Sequence, residues 1–250
     1  MLPAHVRSAL ASAHSWNLSR AQQALVMIAC LALGLALDVH VDLPGQVLLS
    51  AGVWATLFYI LNYVDRQERQ AVFACLAIAT AGELFLSLVW GLYTYRLENI
   101  PMFVPPGHAM LLLLGVRLAP SMSERTANAI LCSAAAYAVV AAATGIDTFA
   151  IALIAGLAVV SYALPTHRRL YASTFLLALA LELYGTWLGN WAWRPQVPVL
   201  ALVTTNPPGL ASAFYGVLDA LVACTALAIA HRARHTTPTT GVPASGLQPR

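Results

Sequence analysis

Long apolar runs, separated by short polar or proline-bearing breaks, set the pattern of this 250-residue chain. A helix that crosses a bilayer needs about 20 mostly apolar residues, within a range of ~17–25. Eight segments fit or approach that length: 21–39, 45–64, 71–90, 106–118, 127–144, 148–164, 170–189 and 208–231, the fourth being short. The breaks carry charge or chain-turning residues, among them Asp42-Leu-Pro-Gly45, Asp65-Arg-Gln-Glu-Arg69, Pro105-Pro-Gly107, Gly145-Ile-Asp147, Pro165 and Pro207-Pro-Gly209. The pattern predicts an all-α polytopic membrane protein with eight transmembrane helices.

Composition points the same way. Apolar residues make up 60% and charged residues 9% of the chain, with mean hydropathy +0.73, against about 25% charged residues in soluble domains. So little charge cannot keep a surface in water, and lipid is the solvent that fits. The basic residues are all arginine, 13 in number. With the N-terminus in the cytoplasm, eleven of them (7, 20, 66, 69, 117, 125, 168, 169, 232, 234 and 250) fall on the cytoplasmic side, as retention of positive loops requires. Only Arg96 and Arg194 fall on the other. The expected arrangement is N-in/C-in, multi-pass, in a bacterial inner membrane. Net charge is only +3 and no basic patch alternates with aromatics, so no nucleic-acid partner is expected. Cys30, Cys75, Cys132 and Cys224 lie singly in apolar runs, which argues against disulfides and structural zinc.

Residues 1–235 read as a single transmembrane domain. The first twenty lack a signal-peptide core and read as an interfacial lead-in; 236–250, rich in Pro, Gly and Thr, read as a disordered tail. Within the domain two stretches resemble one another. Trp90-Gly-Leu-Tyr-Thr-Tyr-Arg96 matches Leu188-Gly-Asn-Trp-Ala-Trp-Arg194 in its glycine, alternating aromatics and arginine. Each follows a helix bearing a glutamate, Glu83 or Glu182, and each precedes Pro-Pro-Gly. Segments 21–118 and 127–231 therefore read as two four-helix copies, parallel in the membrane because each holds an even number of spans.

Acids inside spans are the most informative chemistry. A charged group at a helix centre costs ~2.5–3.5 kcal/mol on insertion scales, so such groups face a partner or a cavity. Glu83 and Glu182 should lie roughly 10–12 Å, and Asp219 roughly 15 Å, below the non-cytoplasmic ends of their helices. With His108, just after Pro-Pro-Gly, they are expected to converge on one cavity open to the non-cytoplasmic side. There they would act as acid–base groups, with His108 as an auxiliary base. The candidate substrate-binding residues are Trp90, Tyr93, Tyr95, Arg96, Trp187, Trp191, Trp193, Arg194, Asn206 and Tyr215. The alternatives are structural: an aromatic belt at headgroup depth for Tyr93, Tyr95, Trp191 and Trp193, a headgroup or Glu98 as partner for the two arginines, and interhelical hydrogen bonds for the acids.

The chain has no DDxxD, no histidine boxes, no HExxH, no GxSxG and no P-loop, so no metal or other cofactor is expected. Acids, aromatics and a hydrocarbon cavity suit protonation of an alkene, followed by cyclisation or hydration of an isoprenoid or other lipid. A metal-independent lyase- or isomerase-type lipid enzyme is the leading expectation. A proton-coupled transporter or lipid translocator stands beside it, as does a non-catalytic subunit of a membrane complex; a homo-oligomer or membrane partner remains open.

The run Glu83…Trp90-Gly-Leu-Tyr-Thr-Tyr-Arg96…Pro105-Pro-Gly-His108, with Asn206-Pro-Pro-Gly209…Tyr215…Asp219, resembles a group of uncharacterised bacterial polytopic membrane proteins, which brings no activity with it. The glutamate helix followed by Gly-x-Tyr-x-Tyr is similar to the membrane family that includes carotenoid hydratases. The chain departs from that family in carrying the motif twice and in its Pro-Pro-Gly-His turn. The resemblance transfers no catalytic residue.

Overall fold

The computed structural model describes residues 18–236. Eight α-helices occur among them: α1 Arg20–Asp38, α2 Leu43–Leu61, α3 Arg66–Glu83, α4 Val104–Leu118, α5 Glu124–Ala143, α6 Phe149–Ala163, α7 Arg168–Leu188 and α8 Ala213–Thr236. Most of the expected lead-in and tail lies outside the described residues, although Thr236, the first residue of that tail, still closes α8.

Local chemistry sets the helix starts. Ser19 and Gln22 form a capping box at α1, as Asp65 and Glu68 do at α3. Asp42 accepts from the Gly45 amide with Pro44 in the first turn of α2, and Ser123 accepts from the Thr126 amide at α5. Asp147 accepts from the Ala150 amide at the head of α6. The two Pro-Pro-Gly motifs behave differently. Pro105 and Pro106 occupy the first turn of α4, where a missing amide costs nothing. Pro207-Pro208-Gly209 instead forms a turn, and α8 starts only at Ala213 rather than at the expected 208. The turn is pinned because the Gly209 amide donates to Asp147 at 3.0 Å.

Helices α3, α4, α7 and α8 pack on one another in the middle. The α1–α2 pair leans on α4, while α5 packs on α7 and α6 on α8. The outer faces present leucine, valine and aromatic side chains such as Leu48, Val139, Val159, Tyr162 and Leu183, as hydrocarbon solvent demands. Four helices are long and apolar enough to cross a membrane: α1, α2, α3 with its extension to Val89, and α5. They become five if α6 and Pro165–Leu188, bent by 110° at their junction, count as one broken span. Helix α4 has 15 residues, about 22 Å at 1.5 Å per residue, and is buried along most of its length. Its neighbours shield it from lipid.

The all-α expectation missed two short antiparallel ribbons: β1 Tyr93–Tyr95 with β2 Trp191–Trp193, and β3 Gln196–Val197 with β4 Leu202–Val203. In the first, Tyr93 faces Trp193, Thr94 faces Ala192 and Tyr95 faces Trp191. The Arg96 amide donates to Asn190 O and the Arg194 amide to Leu92 O, each at 2.9 Å, extending the ladder at both ends.

Candidate active site: two glutamates under a ribbon

The α-helical part of α3 ends at Glu83, and the chain continues in π-helical geometry over Leu84–Val89. Such insertions widen a helix and cluster at functional sites. Gly91 then turns at φ 72° and Gly189, after α7, at φ 87°; both are left-handed positions that glycine occupies without strain. These turns bring β1 and β2 back over the helix ends. Residues alternate across a strand, so Tyr93, Tyr95, Trp191 and Trp193 point into the protein while Thr94 and Ala192 face out. The four rings are buried, not spread in an interfacial belt. The ribbon covers the carboxylates on the side where the cavity was expected to open, because its inward aromatics occupy that mouth.

Each glutamate receives its own set of donors. Glu83 Oε2 accepts from the Tyr93 and Tyr95 hydroxyls, both at 2.7 Å, and Glu83 Oε1 lies 2.9 Å from His108 Nε2. Burial, with the Glu83 carboxylate beside them, holds both phenols well above their ordinary pKa, so they remain donors. Glu182 Oε2 accepts from the indoles of Trp191 at 2.9 Å and Trp193 at 3.2 Å. Its Oε1 is only loosely held, 3.5 Å from the Tyr215 hydroxyl. Gly185, one turn beyond Glu182, makes this possible: a Cβ there would stand 2.0 Å from the Trp191 ring.

Beneath the ribbon lies a cavity of about 360 Å³, lined by Glu83, His108, Glu182, Tyr93, Tyr95, Trp191, Trp193 and Tyr215 among apolar groups including Phe103, Phe214 and Leu181. Its size is at the lower end for sites that hold drug-sized ligands. The His108 ring rests on Tyr215 with centroids 4.9 Å apart, and His108 Nδ1 is buried without a hydrogen-bond partner. Phe85 and Leu221 also line the cavity while standing about half exposed on the outer surface. Each therefore reaches from the cavity wall to the outer surface.

The remaining expected residues lie elsewhere. Asp219 does not line the cavity: Leu218 and Leu221 do, and at about 100° per residue a neighbouring position turns to another face. Its carboxyl lies beside Thr174, whose hydroxyl donates to Leu170 O at 3.0 Å, and its Oδ2 is buried and unpartnered. Trp187 is 78% exposed and stacks on Tyr184 outside the bundle. Trp90 donates from its indole to Pro198 O at 2.9 Å, and Asn206 Oδ1 accepts from the Trp193 amide at 2.9 Å. Both hold loops in place. Arg194 is exposed and lies across Gly91.

Arg96 pairs with Asp38 and not with Glu98. Its Nη2 donates to the carbonyls of Asp38 and Val41, and its Nε is 3.7 Å from Asp38 Oδ2. Asp38, 1% exposed, also accepts from Gln46 at 2.7 Å and Asn190 at 2.9 Å. Sequence reasoning missed Asp38 and Asn190. The available signal was an acid at the end of the first apolar run with no arginine near it in sequence. Comparison with protein-family models, with curated proteins and with solved structures returned no significant match.

Proposed function

We propose that the chain is a membrane-embedded isomerase or cyclase that moves a proton across the alkene of an isoprenoid or similar lipid. The observation that carries this reading is the inequality of the two cavity carboxyls. Glu83 has a group able to become a cation, His108, and two phenols; Glu182 has only N–H and O–H dipoles. Two carboxyls in contrasting surroundings are the usual basis for an acid and a base in one site.

Glu182 supplies the proton from Oε1, since Oε2 is taken by two indoles. The alkene π electrons form the new C–H bond, the Oε1–H bond breaks, and a cation develops on the neighbouring carbon. The rings of Trp193, Tyr93 and Phe214 face that charge. His108 Nδ1 then accepts a proton from an adjacent carbon, and the released C–H electrons form the new double bond. Glu83 stabilises the imidazolium through Nε2–H. Tyr215, touching both His108 and Glu182, is placed to return the proton. Substrate dissolved in the membrane reaches the cavity past Phe85 and Leu221.

The same reading takes all eight helices as membrane-crossing, N-in/C-in, in two parallel four-helix copies. Three pairs of features support the copies: the reciprocal Arg96–Asn190 and Arg194–Leu92 backbone bonds, Asp42 and Asp147 each capping three residues on, and the two aromatic-capped glutamates. A two-fold axis between Thr94 and Ala192, along the membrane normal, relates equivalent strands that run antiparallel.

Incubation with polyprenols in D₂O tests the reaction. The recovered lipid should carry carbon-bound deuterium, and Glu182→Gln and His108→Asn should each cut incorporation by about 100-fold or more, the scale of a lost general acid or base. Full incorporation in both variants overturns the proposal. Proton-coupled transport is favoured by one observation, the buried Asp219 carboxyl beyond the cavity with its Oδ2 unpartnered, and predicts pH-driven flux in liposomes that Asp219→Asn abolishes.

A further inference from the structure

We infer that the Glu182 end of the cavity is a binding subsite for positive charge, and that it takes lipid-soluble tertiary amines as ligands. The inference rests on the cavity reading above but concerns recognition instead of turnover. Three features meet there. Glu182 is buried with two indole donors on Oε2 and only a 3.5 Å contact on Oε1, so one oxygen is left for a ligand. No arginine or histidine hydrogen-bonds or ion-pairs with it among the described residues, whereas Glu83 has His108. Around it, Trp193 packs against Phe214 and Tyr93 with centroids 6.3 and 4.6 Å apart, and all three rings line the cavity, the kind of surround that attracts cations.

An amine that enters uncharged from the hydrocarbon avoids the cost of carrying charge through it. Inside, its nitrogen lone pair takes the proton of the Glu182 carboxylic acid: an O–H bond breaks, an N–H bond forms, and an ammonium–carboxylate pair remains. The alkyl chain occupies the apolar remainder of the cavity. The ammonium thereby occupies the position at which the proposed reaction develops its cation.

The test uses the full chain in nanodiscs and N,N-dimethyldodecylamine, with the isosteric hydrocarbon 2-methyltetradecane as comparison and empty nanodiscs as the partitioning control. Binding is read by quenching of tryptophan fluorescence. The amine should bind at least about tenfold more tightly, a preference that Glu182→Gln removes and His108→Asn keeps. Trp193→Phe, which keeps a ring but removes one donor, guards against misfolding of the first variant and should retain part of the preference. Equal binding of the two probes, or an amine preference that survives Glu182→Gln, overturns the inference. Amine preference without deuterium incorporation would sink the enzymatic reading and leave this subsite standing; incorporation without preference would do the reverse.

Discussion

Tyr93 and Trp193 stand directly opposite one another in the β1–β2 ribbon, ring centroids 4.6 Å apart, yet each donates to a different glutamate: Tyr93 to Glu83 and Trp193 to Glu182. The ribbon therefore couples the two carboxyls mechanically. A shift of the paired ribbon as a unit moves donors at both. Phenols serve the carboxyl that has a histidine, and indoles, which can donate but never accept, serve the one that does not. The two carboxyls thus differ in the alternate residues of two three-residue strands as well as in His108.

Loss of one phenol should be felt as lost stability before it is felt as lost fold. Tyr95→Phe removes a 2.7 Å bond to Glu83 and keeps the ring. Hydrogen bonds to charged groups contribute about 1.5–3 kcal/mol, so thermal unfolding in detergent should begin lower than in wild type. Trp193→Phe removes a longer bond, 3.2 Å, and should cost less. Equal melting of Tyr95→Phe and wild type would show that Glu83 does not depend on this donor.

Gly185→Ala separates packing from helix propensity. Alanine in place of glycine favours a helix by about 1 kcal/mol, but here the new methyl meets three Trp191 ring atoms at 2.0–2.5 Å. Overpacking of that kind costs typically 1–3 kcal/mol, and the ring must leave Glu182 to relieve it. The variant should show altered tryptophan emission and reduced deuterium incorporation. Gly52→Ala, with nothing within 4 Å of its new Cβ, should leave both unchanged. An unaltered spectrum in Gly185→Ala would mean that Trp191 does not rest where the geometry puts it.

The helices were legible because hydrophobic length is a local property: the expected 21–39 and 170–189 became Arg20–Asp38 and Arg168–Leu188. The convergence of Glu83, Glu182 and His108 was legible too, since each acid had to escape hydrocarbon. Three things were not. Alternating aromatics in Tyr93-Thr-Tyr95 and Trp191-Ala-Trp193 fit both a belt and a strand, and only the pairing between the two stretches decides. Asp219 shares its helix with cavity residues, and rotation about the helix axis, invisible without a fixed register, turns it toward Thr174. The Asp38 and Arg96 pairing joins residues 58 apart in sequence, which no local pattern encodes.

Asp38 should be the costliest polar residue to remove. It is buried and accepts from Gln46 and Asn190 while facing Arg96, so Asp38→Ala takes the acceptor from two amide donors and the counter-charge from Arg96. Breaking a buried pair costs about 3–5 kcal/mol; Asn190→Ala, which removes one neutral donor, should cost about 1 kcal/mol. Yield of monodisperse protein and its melting point rank the two. If Asn190→Ala proves the worse, the clamp is held by the asparagine's bond to Leu35 O and not by the charge pair.

Orientation is open to direct labelling. The outward faces of the ribbon are Thr94 and Ala192, and the arginine distribution predicts that this end lies outside the cytoplasm. Ser123, which caps α5 at the opposite end, should face the cytoplasm. In a background with the four native cysteines replaced, Thr94→Cys should react in intact cells with a membrane-impermeant maleimide, whereas Ser123→Cys should react only after lysis. Thr94 is the better reporter because its side chain is exposed and makes none of the contacts to either glutamate. An even number of crossings between a cytoplasmic N-terminus and position 123 is required for that result. Because α4 is 15 residues long, it is the crossing most at risk. Labelling of Ser123→Cys from outside would remove α4 from the set of crossing helices and place the two halves of the chain in opposite orientations. The parallel arrangement of the copies, and the two-fold relation of the glutamates with it, would then fail together.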